Sequence, residues 1–398
     1  MLSSSTSPSP TRSHPHYPPL PLSDDIAQKF LYCSANGLTF HYLEAGYTPE
    51  RDRPLLLLLH GFPELAFSWR GLIPRLADAG YYVVAPDQRG FGRTTGWDDS
   101  TFSTTDLGQF TMTNLVRDMV VLVNALGYRQ VHCVIGHDFG ALASSMCALM
   151  RPDMFRSVVM MSHPAKEVGA LPFNVANEKN GAKPTPTVDI QRELAQLPEP
   201  RKHYKWYNST AVAAFQWSLP QQGMRNFMRG YVHIKSADWE RNNPVPLKSW
   251  TGRELAKMPW YCIMPLHSSM PEVVNTLMVG EDFNKTQRWL PDKDLEVYVQ
   301  EWTRTGFQGG LNWYRSTTDP SHRRDLDLFT GRKIECPSVY ISGAKDWGNY
   351  QDPGVLENLP NVCTQLRGVK LIEGAGHWPL SEKPEAVAEE VFSFLNSL

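Results

Sequence analysis

The sequence predicts an α/β protein in which a mostly parallel, doubly wound sheet is interrupted by a mainly helical insertion. Short apolar runs bounded by turn residues recur along the first 165 positions, in P-L-L-L-L-L-H-G-F-P-E, Y-Y-V-V-A-P-D-Q-R-G-F-G, V-H-C-V-I-G-H-D and S-V-V-M-M-S-H-P. Four to six apolar residues in a row suit a strand buried on both faces. Helical patterns lie between them, notably N-L-V-R-D-M-V-V-L-V-N-A-L-G, which ends at Gly127, and D-F-G-A-L-A-S-S-M-C-A-L-M. Alternating strands and helices give a parallel sheet, which places reactive groups at the carboxyl ends of its strands. The rhythm breaks after Ser162 and resumes with P-S-V-Y-I-S-G-A-K-D, V-K-L-I-E-G-A-G-H-W and a closing helix P-E-A-V-A-E-E-V-F-S-F-L.

The elements follow in order. Residues 1–25, rich in Ser and Pro, read as a disordered arm with no basic segment leading into an apolar one, hence no signal peptide. Residues 26–165 form the first part of the sheet domain and open on a hairpin around Ala35-Asn36-Gly37. Residues 166–330 are rich in Trp, Pro and Met, contain no clean buried strand, and carry helical patterns over 188–196, 208–217 and 294–303; they read as a helical cap. Residues 331–398 complete the sheet domain. A chain of 398 residues accommodates this arrangement, and a formal charge of -2 excludes an electrostatic footprint for nucleic acid or an anionic membrane. The apolar runs are too short to cross a bilayer. The six cysteines show neither a C-x-x-C pair nor clustering with histidines, so a disulfide scaffold and a zinc site are not indicated, and a reducing, cytoplasmic setting is the expectation. The C-terminal Asn396-Ser397-Leu398 does not match a peroxisomal address.

The chemistry concentrates in four loops. In G136-H-D-F-G140 a strand turns sharply into a helix, and glycines flanking the turn let Asp138 project at positive φ with backbone N–H groups nearby. Taken alone, such an aspartate is equally well a helix N-cap. H60-G-F-P-E64 follows a strand where Phe62 N–H can join Phe139 N–H as an oxyanion donor, each worth about 3 kcal/mol in a transition state. G374-A-G-H-W-P379 puts His377 on a glycine-flanked loop, and Y340-I-S-G-A-K-D346 supplies an acid in the chain order nucleophile, acid, histidine, with Asp352 as the competing carboxylate.

With these segments and the tract R304-T-G-F-Q-G-G-L-N-W-Y-R315 in view, the chain from about Leu31 onward resembles the α/β-hydrolase-fold epoxide hydrolases. The resemblance implies that fold with a cap, no metal and no organic cofactor, and two cap tyrosines facing the nucleophile. Tyr314 matches one; H203-Y-K-W-Y-N208 matches the other segment, in which register favours Tyr204 over Tyr207. Phe139 stands where tryptophan is usual and Lys205 where an amide is common. The implied partners are an apolar small-molecule epoxide and water, with no nucleic acid; an aromatic cap is also suited to pairing two copies as a homodimer. Trp206, Phe307, Trp313 and Trp378 are the candidate pocket wall. H-G-x-P and G-H-D-x-G are shared with haloalkane and haloacetate dehalogenases, which remain an alternative using Asp138, Asp346 and His377. A non-catalytic binding protein on the same fold is the other. The tyrosines discriminate, since an epoxide oxygen must be protonated as it leaves and a halide need not be.

Overall fold

A computed structural model describes residues 17–169, 171 and 189–398. Eight strands make the central sheet: β1 (Ala27–Cys33), β2 (Leu38–Ala45), β3 (Leu55–Leu59), β4 (Tyr82–Pro86), β5 (Cys133–His137), β6 (Val158–Met161), β9 (Ser338–Gly343) and β10 (Leu366–Ile372). Their spatial order is β1-β2-β4-β3-β5-β6-β9-β10, antiparallel at the β1, β2 edge and parallel from β4 onward. The five leucines of β3 explain why the strand reads as an unbroken apolar run. Leu55, Leu57 and Leu59 enter the core on one face while Leu56 and Leu58 enter the core on the other, and none is exposed. Helices Met112–Ala125 and Phe139–Met150 cover the first face, and Ile73–Asp78 and Pro384–Leu395 cover the second. The helix Met112–Ala125 ends as its sequence predicts, with Gly127 at φ 86° and Tyr128 N–H donating to Val123 O. Strand order reverses between β3 and β5, the crevice in which such sheets bind ligands.

Between β6 and β9 the described residues form helices, among them Tyr204–Asn208, Ala213–Ser218, Met224–Lys235, Met270–Leu277, Asp292–Thr305 and Gln308–Thr318. Two details differ from the sequence reading. Strands β7 (Arg201–His203) and β8 (Ile263–Pro265) pair antiparallel in a small two-stranded sheet, too short for any periodicity to reveal. The pattern over 208–217 is two helices, because the Ser209 hydroxyl donates to Lys205 O at 2.8 Å and that of Thr210 to Tyr207 O at 2.7 Å, closing the first helix. Val188 of the pattern over 188–196 lies outside the described residues, and the helix there is Ile190–Ala195.

The arm expected to be disordered up to Asp25 falls partly on residues 1–16, outside the described residues; from Tyr17 the chain is seated on the core. The Tyr17 ring stacks on Phe30 and receives the guanidinium groups of Arg93 and Arg304, at 5.1 and 4.8 Å from its centroid, while Arg93 also donates to Pro18 O at 2.8 Å.

The cap is fastened to the sheet domain by the tract 304–315 and the helix before it. Trp302 Nε1 donates to Pro63 O at 2.8 Å and Trp313 Nε1 to Arg89 O at 2.9 Å, and the buried pair Arg93–Glu301 closes at 2.8 Å. Gly90 and Gly309 bring two backbones together: a Cβ on Gly309 would lie 2.3 Å from Gly90 O. Gly309→Ala is therefore expected to overpack the seam and cost about 1–3 kcal/mol. Urea denaturation checks this, and an unchanged midpoint with an unchanged slope contradicts it.

Candidate active site

Asp138 closes β5 and opens the helix Phe139–Met150 with φ 53° and ψ -118°. The turn is possible only because its flanks are bare. A Cβ on Gly136 would meet Gly140 O at 2.0 Å, and one on Gly140 would meet Leu59 O at 1.9 Å. Asp138 Oδ1 accepts Phe62 N–H at 3.0 Å, which separates the carboxylate oxygens into one held by backbone and one, Oδ2, facing two imidazoles. His377 Nε2 stands 3.5 Å from Oδ2 and His163 Nε2 stands 3.4 Å from it. Burial alone would raise the Asp138 pKa, but hydrogen bonding and electrostatic interaction with these two imidazoles outweigh it and hold the group well below the usual carboxylate range. The oxyanion loop is kept in place through His60, whose Nδ1 lies 2.9 Å from Gly61 O and whose Nε2 accepts Gln88 N–H at 3.1 Å.

His377 is oriented from three directions. Its Nδ1 lies 3.1 Å from both oxygens of Asp346, and Asp346 is itself fixed by Gly348 N–H at 2.7 Å. Burial opposes ionisation of Asp346, yet His377 pulls its pKa down to about 2. Asp352 instead pairs with Lys166. The loop backbone around His377 is tied by Glu382, which accepts N–H groups from Gly376, Trp378 and Ala237 at 2.7–2.9 Å. Beneath it, His137 Nε2 lies 2.7 Å from His377 O while its Nδ1 lies 2.5 Å from Glu64 Oε2. A carbonyl and a carboxylate both only accept, so His137 holds protons on both nitrogens.

Tyr314 and Tyr204 descend from the cap. Tyr314 packs edge-on against Phe139 and Phe62, with centroids 4.6 and 5.4 Å away, and Tyr204 meets Tyr314 at 5.9 Å while its hydroxyl donates to Gln351 Oε1 at 3.3 Å. Tyr207 points elsewhere, donating to Gln216 Oε1 at 2.9 Å. Burial raises both the Tyr204 and the Tyr314 pKa well above 10, and the Asp138 charge adds to this, so both hydroxyls stay protonated. The expected pocket wall divides. Trp378 lies against His377, centroids 4.7 Å apart, and Trp206 is half-buried and edge-on to His203, whereas Phe307 and Trp313 are spent on the seam: Phe307 stacks on Trp302 at 4.4 Å and Trp313 anchors to Arg89. Both also reach the rings beside Asp138, Phe307 meeting Phe62 at 6.1 Å and Trp313 meeting Phe139 at 5.4 Å between centroids, where Tyr314 packs as well.

The chain has relatives among known proteins. A profile of the alpha/beta hydrolase fold matches residues 54–237. Epoxide hydrolase A of Mycobacterium tuberculosis is 30% identical over 370 residues, 91% of this chain and 96% of that protein. The chain belongs to the α/β-hydrolase-fold epoxide hydrolase family. Epoxide hydrolase B of the same organism is 29% identical over 94% of this chain and 99% of its own length. The crystal structure of epoxide hydrolase A from Mycobacterium thermoresistibile, 29% identical, superposes with a TM-score of 0.70 over 93% of this chain and 98% of that one.

Within this epoxide hydrolase family member, sequence reasoning missed the groups that act from behind the loops. Glu64 and His137 stand inside the quoted motifs H-G-F-P-E and G-H-D-F-G, so the motifs themselves were the signal that could have raised them. His163, Tyr231 and Lys235 carry no motif; folding brings His163 to Asp138 and Lys235 to Trp378, whereas Lys235 and Tyr231, four residues apart on the helix Met224–Lys235, meet through helical spacing, the ammonium lying 5.1 Å from each ring centroid.

The His137–Glu64 pair makes a pH-dependent contribution. Burial lowers the His137 pKa, but Glu64 prevails and raises it to about 9. A folded-state value above the unfolded 6.5 means stability is fully present below pH 6.5 and is lost as pH rises through 9, by about 3 kcal/mol. Denaturation midpoints should fall over that window, and Glu64→Gln should lower stability below pH 6.5 while flattening the slope above it. A wild-type midpoint that stays level from pH 6.5 to 9 contradicts the assignment.

Proposed function

We propose that the chain hydrolyses apolar epoxides to vicinal diols through a covalent ester on Asp138. An aspartate needs no base to become a nucleophile, since its unperturbed pKa is near 3.9 and this one lies lower still. With Oδ1 on Phe62 N–H, Oδ2 is the oxygen that attacks a ring carbon. The breaking C–O bond leaves its electron pair on the ring oxygen, which takes a proton from Tyr314 or Tyr204. That help is worth on the order of 10²- to 10⁴-fold.

In the second step His377, oriented by Asp346, takes a proton from water as the water oxygen attacks Asp138 Cγ. The negative charge gathers on Oδ1, beside Phe62 N–H and at the start of the helix where Phe139 N–H lies. The tetrahedral species collapses with loss of the diol. The observation that carries the reading is the meeting of two protonated cap tyrosines over the Phe62, Phe139 wall. A dehalogenase would have no use for them, and a binding scaffold would not need the whole set of nucleophile, acid, histidine and oxyanion loop. Six buried, unpaired thiols support a reducing, cytoplasmic setting, and no helix among the described residues is long and apolar enough to cross a membrane.

Styrene oxide should be converted to its diol, with no halide released from 1-chlorobutane or chloroacetate. The double variant Tyr314→Phe, Tyr204→Phe should fold and lose at least 10²-fold in kcat for the epoxide, followed by chromatography of the diol. Halide release with an inert epoxide, or undiminished turnover by the double variant, overturns the assignment.

A further inference from the structure

Two imidazoles, not one, face the nucleophile's reactive oxygen. His163 follows β6 directly, after Ser162 at φ 63°, and its Nε2 lies 3.4 Å from Asp138 Oδ2, while His377 approaches the same oxygen at 3.5 Å. Their protons are not interchangeable. His377 Nδ1 faces both Asp346 oxygens, so its one proton in the neutral ring is on Nδ1, and its Nε2 offers a lone pair, as a base for water requires. Asp138 Oδ2 offers only lone pairs, and the two Asp346 oxygens at 3.1 Å take the single proton of neutral His377, so the proton that faces Oδ2 is the one on His163 Nε2. Burial, with Lys205 and Lys166 nearby, keeps His163 in the neutral form, against the pull of Asp138.

On the reading that Asp138 forms the ester, we infer that His163 is a further catalytic residue: its Nε2–H, aimed from 3.4 Å at the oxygen that becomes the ester oxygen, closes on it and stabilises the charge that develops there when the diol leaves. The steps balance without consuming that proton. Oδ2 attacks the ring carbon and becomes the ester oxygen. Water then adds to Cγ, giving its proton to His377 and driving the C=Oδ1 pair onto Oδ1. When the Cγ–Oδ2 bond breaks, the Oδ1 pair re-forms the carbonyl, the bonding pair goes to Oδ2, the proton returns from His377 to that oxygen, and the diol departs with it; the second proton of the water, left on the new Asp138 carboxyl, goes back to the tyrosinate formed at ring opening. His163 keeps its N–H directed at Oδ2 and transfers nothing. The same N–H draws electron density from Oδ2 before attack, so His163 assists the second step and restrains the first.

Rapid-quench single turnovers of the full chain with styrene oxide separate the steps, with the alkylated enzyme measured as a mass adduct on Asp138. For His163→Phe the adduct should form at the wild-type rate or faster and hydrolyse on the order of 10²-fold more slowly, so that it accumulates. His163→Gln, which keeps an N–H donor, should recover much of the loss; His163→Leu serves if the phenylalanine variant does not fold. Adduct hydrolysis at the wild-type rate, or formation and hydrolysis slowed in equal proportion with no rescue by glutamine, overturns the role of His163 alone. Diol formation with no adduct in any variant overturns the ester reading and this inference with it.

Discussion

The arrangement of the site depends on one backbone constraint, the turn at Asp138. A β strand and an α helix meet there with a single residue between them, at a φ that side-chain-bearing residues rarely adopt and that costs on the order of 1–3 kcal/mol. The strain is tolerated because the sheet and the first-face helix over-determine the position: Asp138 N–H donates to Met161 O at 3.1 Å on the neighbouring strand, and the bare glycines allow β3 to pass against the helix start. The turn sets where Oδ1 meets Phe62 N–H, and so where Oδ2 points. The cap tyrosines, the His377 loop and His163 are all arranged around that direction.

Burying so much charge near one carboxylate is tolerable only when each charge has a partner. Asp346 is answered by His377, Glu64 by His137, and Asp352 by Lys166. These pairs lie behind the reacting atoms, and they hold loops more than they bind ligands. The most consequential is His137, whose two protons join a carboxylate on the oxyanion loop to the carbonyl of His377, so that base and oxyanion donor are parts of one rigid unit. The cap contributes in the opposite way, through neutral hydroxyls whose burial keeps them protonated.

Much of this was legible in the sequence where local chemistry determines structure. G136-H-D-F-G140 and the strand of five leucines are dictated by contacts within a few residues, and both stand as the pattern predicts. The chain order that singles out Asp346 and His377 follows from strand topology, and the two groups meet; Asp352, six residues on, is committed to Lys166. What the sequence could not reveal depends on contacts between distant segments. Tyr204 and Tyr207 are three residues apart and differ in role only through their partners, Gln351 and Gln216. Phe307 and Trp313 read as pocket aromatics, yet the close Gly90, Gly309 approach turns them into the seam. His163 has no flanking motif and becomes functional only because β6 lies beside β5.

The central claim is that Asp138 becomes an ester and that its own oxygen leaves in the product. A single turnover in ¹⁸O-labelled water, with enzyme in excess over an aryl epoxide, tests it directly. The account predicts that the first diol is unlabelled and that the label is recovered in the Asp138 carboxylate. A first diol carrying full label contradicts it.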